Sequence, residues 1–137
     1  MEKFRMYTPP SARASAAYRQ VGLDSQVLSA SPHGLVNLLF AELLASLASA
    51  KAAIGRSDVA GRVRFIGKAM RLLDEGLMAS LDVAAGGEIA VNLQRLYSYC
   101  LVRLTEANAR SDEAMVDEVL GLLQPVADSW REIGMVK

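Results

Sequence analysis

The residues best suited to chemistry in this sequence are its single histidine, His33, and its single cysteine, Cys100. A catalytic or metal-binding histidine needs polar partners that converge on it. His33 instead follows Pro32 at a predicted helix start, and no partner stands at ligand spacing. Cys100 lies on an apolar helical stripe with no histidine on the same helix, which is typical of a packed thiol. We predict a surface or capping role for His33 and a core position for Cys100.

The other polar motifs also argue against a reaction. The pairs Asp74–Glu75 and Asp117–Glu118 are adjacent acids on predicted helices. Their side chains therefore diverge by about 100° and cannot share a proton as a catalytic pair. Gly86–Gly87 lacks the further glycines and the lysine of a phosphate-binding loop, and the sequence has no Glu-x-x-His motif of a di-iron bundle. We predict that the protein is not an enzyme and holds no cofactor or metal.

The composition favours a single soluble domain that recognises its partners by shape and apolar contact. Fifteen basic side chains balance fifteen acidic ones, so the positive field that nucleic acid or an anionic membrane selects is missing. The longest uncharged stretch, residues 25–41, is shorter than the roughly 20 apolar residues that span a bilayer and contains Pro32, Gly34 and Asn37, so we predict no membrane insertion. The start lacks the pattern of a secretory signal, and one cysteine excludes an internal disulfide. We therefore expect a cytoplasmic protein.

Hydrophobic periodicity predicts an all-α fold, an antiparallel four-helix bundle with a short N-terminal helical arm. Residues 1–30 lack a sustained 3.6-residue stripe and are interpreted as a flexible arm with one short helix around residues 12–20. Residues 31–134 are interpreted as the bundle, which begins where Ser31 can cap a helix whose first residue is Pro32. Short connections at residues 55–58, 86–87 and 108–112 join long helices, as in an up-down bundle.

Two further features of the helices are predicted from glycine and proline. Gly86–Gly87 interrupts the pattern, and the next helix is expected to start at Glu88. Pro125 lies inside the last helix, where it removes a hydrogen bond and presses on the carbonyl of Gly121. We predict a kink between Gly121 and Pro125.

The helices that begin near Leu35 and Val63 carry more apolar residues than a bundle seam needs. Exposed apolar grooves of this kind receive amphipathic helices of partner proteins. Alternatively, the N-terminal arm or a second copy of the chain covers this surface, and periodicity alone favours neither reading. The candidate groove residues are Leu39, Phe40, Leu43, Leu44, Phe65, Ile66, Met70 and Leu72.

Several segments, in order along the chain, resemble the family of flagellar secretion chaperones known as FliS. The resemblance begins with Met6-Tyr7-Thr8 and Tyr18 and continues with Ala30-Ser31-Pro32-His33. It then covers most of the remaining chain, in the segments Leu38-Leu39-Phe40, Gly86-Gly87-Glu88-Ile89-Ala90, Asn92-Leu93, Leu96-Tyr97 with Tyr99, Arg103-Leu104, Ala107-Asn108 and Trp130.

The resemblance implies a cytosolic export chaperone whose apolar grooves hold the C-terminal segment of flagellin and prevent its premature polymerisation. It further implies that the arm contacts the flagellar export gate, a role we expect for Tyr18 and less firmly for Tyr7. A self-associating bundle with a structural or adaptor role, for example a homodimer, is the alternative. Because the family-like start falls at Met6, we expect Met6 to be the natural initiator or residues 1–5 to be a dispensable extension.

Overall fold

The structure of the protein, a computed structural model, describes Tyr7 and residues 31–135, and for residues 134 and 135 the backbone alone. Within these residues it is all helical, with four helices and no β-strand. The helices are α1 (Pro32–Gly55), α2 (Val59–Arg71), α3 (Val83–Arg110) and α4 (Glu113–Met135), and a π-helical segment, Leu72–Met78, continues α2. The predicted short helix around residues 12–20 and Tyr18 lie outside the described residues.

The start of α1 follows the predicted capping pattern. Ser31 has an extended backbone, and its hydroxyl accepts a hydrogen bond from the amide of Gly34 over 3.1 Å. Pro32 occupies the first turn, where its missing amide hydrogen costs nothing. The connection to α2 is as short as expected, because α1 ends at Gly55 and the carboxylate of Asp58 accepts from the amide of Gly61 at 2.9 Å.

Each helix packs against two neighbours, as in a closed four-helix arrangement. Helix α1 contacts α2 and α4, and α3 also contacts α2 and α4, so α1 and α3 lie on opposite sides of the core. Since α1 and α2 are joined by three residues and α3 and α4 by two, these neighbours must run antiparallel. Tyr97 and the leucines at 39, 43, 47, 72, 73, 77, 104 and 123 are fully buried at the centre.

Helix α1 is long and apolar enough to cross a membrane by length and composition alone, with a mean hydropathy of 1.5. In the bundle it is the core helix, because nine of its residues are buried against its neighbours. Its two charged side chains pair across the seams, Glu42 with Lys68 of α2 and Lys51 with Asp117 of α4. The breadth of its apolar surface therefore reflects contact with two helices.

The start of α3 differs from the prediction. A helical turn already begins at Val83, where the carboxylate of Asp82 accepts from the amide of Ala85 at 3.0 Å. The break falls inside the helix at Gly87, whose φ of 58° and ψ of −137° are disfavoured for other residues. The element therefore starts about one turn before Glu88, but its two helical pieces meet at Gly87, so the long piece starts at Glu88 as predicted.

The last helix, α4, runs through Pro125 from Glu113 to Met135. Asp112 caps it, as its carboxylate accepts from the amides of Ala114 and Met115 over 3.0 and 3.3 Å. Pro125 itself is exposed, so its ring lies on the solvent side of the bundle. The predicted bend between Gly121 and Pro125 remains a prediction.

Candidate partner-binding surface

The predicted groove residues do not form one surface. Five of them lie in the core, with Phe40 2% exposed and the other four, Leu39, Leu43, Ile66 and Leu72, fully buried. A partner cannot contact these five side chains while the bundle stays closed. The other three, Leu44, Phe65 and Met70, are partly buried and pack at the edge of the core.

Those three residues belong to three different seams between helices. Leu44 lies two turns before Lys51, which pairs with Asp117, so it sits on the side of α1 that faces α4. Phe65 precedes Lys68 by one turn and therefore faces α1. Met70 lies about 200° round the helix from Lys68, so it faces away from α1 and towards α3.

The α1/α2 seam is tightly closed. A Cβ placed on Gly61 would lie 3.2 Å from the Cβ of Ala53, and one placed on Gly76 would lie 2.9 Å from a methyl group of Leu39. The ion pair between Glu42 and Lys68 crosses the same seam. The two glycines let the helices approach closely, which leaves no room for a partner between them.

The opposite side of α2 is open. Val63 lies two residues beyond Gly61, so it points away from α1, and 48% of its surface is exposed. Apart from its chain neighbours and the backbone of its own helix, no described atom lies within 4 Å of the position that a Cβ would take on Gly67. We call this surface the α2/α3 groove. It consists of Val63, Gly67 and Met70 of α2 with Ser98, Leu101, Val102 and Thr105 of α3.

The residues of the α2/α3 groove follow helical spacing on both helices and are all uncharged. Val63 and Val102 are 48% and 59% exposed, which is unusual for two valines on neighbouring helices. Leu101 and Met70 are partly buried and form its floor. The groove is therefore an exposed apolar surface of the kind that marks a site of protein interaction.

Polar contacts close the α2/α3 groove at both ends. At one end the guanidinium of Arg62 donates to Asn108 Oδ1 over 3.1 Å and to the hydroxyl of Ser111. At the other end the hydroxyl of Ser98 lies 3.8 Å from the sulfur of Met78. Ser98 and Asn108 are ten residues apart on α3, so the open part is about 15 Å long.

An aromatic cluster fills one end of the bundle, where α1 begins and α4 ends. The ring of Trp130 stacks on His33 at 4.6 Å and meets the edge of Tyr7 at 5.2 Å. Its indole nitrogen donates to the carbonyl of His33 over 3.2 Å. Tyr7 forms an antiparallel bridge with Leu81, and its hydroxyl lies 2.6 Å from that of the buried Tyr97. Tyr7 is 7% exposed, so its side chain is packed into the end of the bundle.

Comparison with known proteins identifies the family. Residues 14–137 match the model of the flagellar protein FliS. The flagellar secretion chaperone FliS of Salmonella typhimurium is 42% identical over 128 residues, which is 93% of either chain. FliSB of Pseudomonas aeruginosa is 42% identical over 86% of this chain and 93% of its own, and FliS of Escherichia coli is 38% identical over 89% and 90%.

The chain belongs to the FliS family. Its relatives are named chaperones, which is a non-enzymatic role. The family match runs through all four helices and therefore includes both sides of the α2/α3 groove.

The two titratable side chains Cys100 and Tyr97 of this FliS-family chain lie in the core of the bundle. Cys100 is fully buried, and that burial raises the pKa of its thiol to about 11, so the reactive thiolate is not populated at neutral pH. Burial likewise raises the pKa of Tyr97. Within the described residues no group of three or more His, Cys, Asp or Glu side chains is arranged to hold a metal ion.

In this FliS-family chain the adjacent acids Asp117 and Glu118 contact two different helices. Asp117 pairs with Lys51 of α1 at 2.7 Å. Glu118 accepts from the Tyr99 hydroxyl at 2.5 Å and from Arg103 at 2.7 Å, both on α3, and these two bonds lower the pKa of its carboxyl. The prediction that the two acids diverge is confirmed by these partners.

Sequence reasoning missed the α2/α3 groove and the role of His33. Val63 begins a predicted apolar helix but is 48% exposed, and Ile89 of α3 is 60% exposed beside the break at Gly87. The absence of charge from the α3 side, residues 98, 101, 102 and 105, is a signal that could have found the groove. His33 gave no comparable signal, because Trp130 lies 97 residues away in sequence.

Proposed function

We propose that this protein is a cytoplasmic, non-enzymatic chaperone that binds the C-terminal segment of flagellin and delivers it to the flagellar export gate. The observation that carries the proposal is the match to flagellar secretion chaperones over more than nine-tenths of the chain. The α2/α3 groove adds an uncharged, exposed surface of the type that receives amphipathic helices.

The physical reason for such a chaperone is that the ends of flagellin must not polymerise in the cytoplasm. A bound segment buries the apolar face that filament growth uses. Ordering a flexible segment on binding costs free energy, so a large interface can still have an affinity that permits release. In this proposal the complex is stable enough to protect the segment and weak enough to deliver it.

The test is to mix the protein with a peptide of the flagellin C-terminal segment. We expect binding at micromolar concentrations by calorimetry, together with a gain of helical circular dichroism that exceeds the sum of the separate spectra. A peptide of the same composition in scrambled order is the control. If the native peptide gives no heat at these concentrations, the proposed cargo is wrong.

Variants that test binding must leave the core of the bundle intact. Phe40 is 2% exposed, so Phe40→Asp would bury a charge and unfold the bundle instead of testing binding. Leu44 is only partly buried, and Leu44→Asp is the better test of the α1/α4 seam. Tyr18 lies outside the described residues, and Tyr18→Ala tests contact with the export gate by pull-down with export-gate proteins.

Sedimentation separates the chaperone from the alternative of a self-associating bundle. The chaperone should form a complex with flagellin of defined stoichiometry. A stable oligomer of this chain that flagellin neither binds nor changes would instead favour the structural or adaptor role.

A further inference from the structure

One face of α3 points away from the rest of the bundle. The residues of α3 that face the core are fully buried, and they are Ala90, Tyr97, Cys100, Leu104 and Ala107. The opposite side of the helix carries positions 92, 95, 99, 102, 106 and 109. We call this surface the outer α3 face, and it consists of Asn92, Arg95, Tyr99, Val102, Glu106 and Ala109.

The outer α3 face is apolar and exposed at its centre. Tyr99 and Val102 are 45% and 59% exposed, and Val102 lies on the border with the α2/α3 groove. The Tyr99 hydroxyl donates to Glu118 of α4 over 2.5 Å, so the ring is held in place although it faces solvent. A fixed aromatic ring offers contact area at a low cost in conformational entropy, which is why tyrosine is common at the centres of interfaces.

The residues of the outer α3 face follow the spacing of a seam between two helices. The intervals between successive positions are three, four, three, four and three residues. This alternation keeps the side chains on one line, along which a second helix can pack. The break at Gly87 comes before all six positions, so they lie on the regular part of α3. The face can therefore receive a helix over a length of about 26 Å.

The outer α3 face is complementary to itself when a second copy of the chain lies antiparallel to it. A twofold axis between positions 100 and 101 brings Tyr99 of each copy to Val102 of the other. The same axis brings Arg95 of each copy to Glu106 of the other, because these two residues lie equally far from it. Apolar contact at the centre and opposite charges on either side are therefore satisfied together.

The two charges that this arrangement pairs are available for it. Arg95 is exposed and has no ion pair within the part of the chain that the structure describes. Glu106 has only long contacts with arginines of its own helix, 3.6 Å to Arg103 and 3.9 Å to Arg110. Neither charge has to leave a tight ion pair. Parallel helices in register would instead set Arg95 against Arg95, so the charges favour the antiparallel arrangement.

We propose that two copies of this chain associate through the outer α3 face, with their α3 helices antiparallel about a twofold axis. Tyr99 packs on Val102 at the centre, and an Arg95–Glu106 ion pair forms on either side. The contact is isologous, so association stops at the dimer. One helix from each copy buries less than the standard interface of about 1,600 Å², so the dimer is weak and reversible. This inference goes beyond the proposed function and requires no flagellin.

The first test removes the apolar centre of the outer α3 face. Sedimentation equilibrium of the wild-type chain at concentrations up to about 1 mM should show a reversible monomer–dimer equilibrium. Val102→Asp should weaken dimerisation by at least about tenfold, because it places two carboxylates at the centre. Val63→Asp is the matched control, since Val63 is a half-exposed valine on α2, away from this face. Circular dichroism checks that both variants are folded.

The second test reverses the charges on either side of the centre. Arg95→Glu sets two carboxylates against each other, and Glu106→Arg sets two guanidinium groups against each other. Each variant alone should dimerise about tenfold more weakly than the wild type at low ionic strength. An equal mixture of the two variants should recover the wild-type affinity within about threefold, because each mixed dimer again contains two pairs of opposite charge. An effect of either substitution on folding cannot produce this recovery.

The control for the charge reversal uses two exposed residues of α4. Arg131→Glu and Glu132→Arg should leave dimerisation unchanged, both alone and mixed. A wild-type chain that stays monomeric up to the highest concentration would overturn the inference. Equal dimerisation of Val102→Asp and Val63→Asp, or a mixture of Arg95→Glu and Glu106→Arg that associates no better than either variant, would also overturn it. These experiments contain no flagellin, so their failure leaves the proposed function standing.

Discussion

Helix α2 has a closed side and an open side, and three glycines mark the difference. On the side of α1, a Cβ on Gly76 would lie 2.9 Å from a methyl group of Leu39 and one on Gly61 would lie 3.2 Å from the Cβ of Ala53, so both positions are tightly packed. On the side of α3, Gly67 faces open space. Glycine thus permits tight packing at positions 61 and 76 and leaves open space at position 67. What distinguishes the two is the residue that stands opposite, which the local sequence does not reveal.

The two sides also differ in how charge is used. The α1/α2 seam is crossed by an ion pair of Glu42 and Lys68, whose side chains are about 30% exposed. The α2/α3 groove is held only at its ends, where Arg62 bonds to neutral partners. We infer that the closed side determines the stability of the bundle, whereas the open side can change with little effect on folding.

The largest expected effect is on the closed side. Leu39→Ala removes a fully buried side chain that contacts Gly76, and should lower the free energy of unfolding by about 2–5 kcal/mol. Val63→Ala in the α2/α3 groove should change it by less than about 0.5 kcal/mol, because Val63 is half exposed. Urea unfolding followed by circular dichroism measures both. Similar losses would show that the two sides are not distinct.

Alanine substitutions at Gly76 and Gly67 compare the closed and open sides of α2 directly. Gly76→Ala should lower the free energy of unfolding by about 1–3 kcal/mol, because its Cβ would lie 2.9 Å from a buried methyl group of Leu39. Gly67→Ala should raise it by up to about 1 kcal/mol, since alanine favours helix and has room there. The same unfolding measurement applies. A stabilised Gly76→Ala variant would mean that Leu39 can move aside and that this seam is looser than described.

The aromatic cluster at the end of the bundle is expected to contribute to stability, as the closed α1/α2 seam does. The Tyr7 and Tyr97 hydroxyls form a buried hydrogen bond of 2.6 Å. Tyr97→Phe should lower the free energy of unfolding by about 1–3 kcal/mol, because Tyr7 loses this partner in a buried site. A double-mutant cycle with Tyr7→Phe measures the coupling, which we expect to be about 1 kcal/mol. A coupling of zero would mean that Tyr7 does not dock in solution.

The smallest effect is expected at the exposed α3/α4 seam. The hydroxyl of Tyr99 and the guanidinium of Arg103 lower the pKa of Glu118 below its ordinary value of 4.5. The stability that Glu118 contributes is therefore present above that value and is lost as the pH falls through the lowered pKa. Glu118→Gln should reduce the loss of stability between about pH 6 and pH 3. Thermal unfolding across this pH range is the measurement. If Glu118→Gln loses as much stability as the wild type on acidification, the prediction is wrong.

Local signals in the sequence predicted much of the fold. Ser31 before Pro32 predicted the start of α1, and both the short connection at residues 55–58 and the break at Gly87 were found where glycine or a capping residue stands. These features depend on residues a few positions apart, so the sequence contains the information. The π-helical segment Leu72–Met78 was not predicted, because its buried residues at 72, 73, 76 and 77 also suit an ordinary apolar helix.

The site was predicted less well than the fold. Apolar periodicity predicted broad apolar faces on α1 and α2, but it cannot say which neighbour covers a given face. Leu39 and Leu72 turned out to be core because α1 and α2 approach closely through Gly61 and Gly76. Val63 was left exposed by the same packing, since it lies on the other side of α2. The burial of Leu39 and Leu72 and the exposure of Val63 both depend on contacts between segments that are distant in sequence.

Trp130 is the one tryptophan of the chain, and it touches both the start of α1 and the anchored Tyr7. Its emission therefore reports on the contact between Tyr7 and the end of the bundle. The protein carries its own spectroscopic probe of the arm, and no dye needs to be attached to follow it.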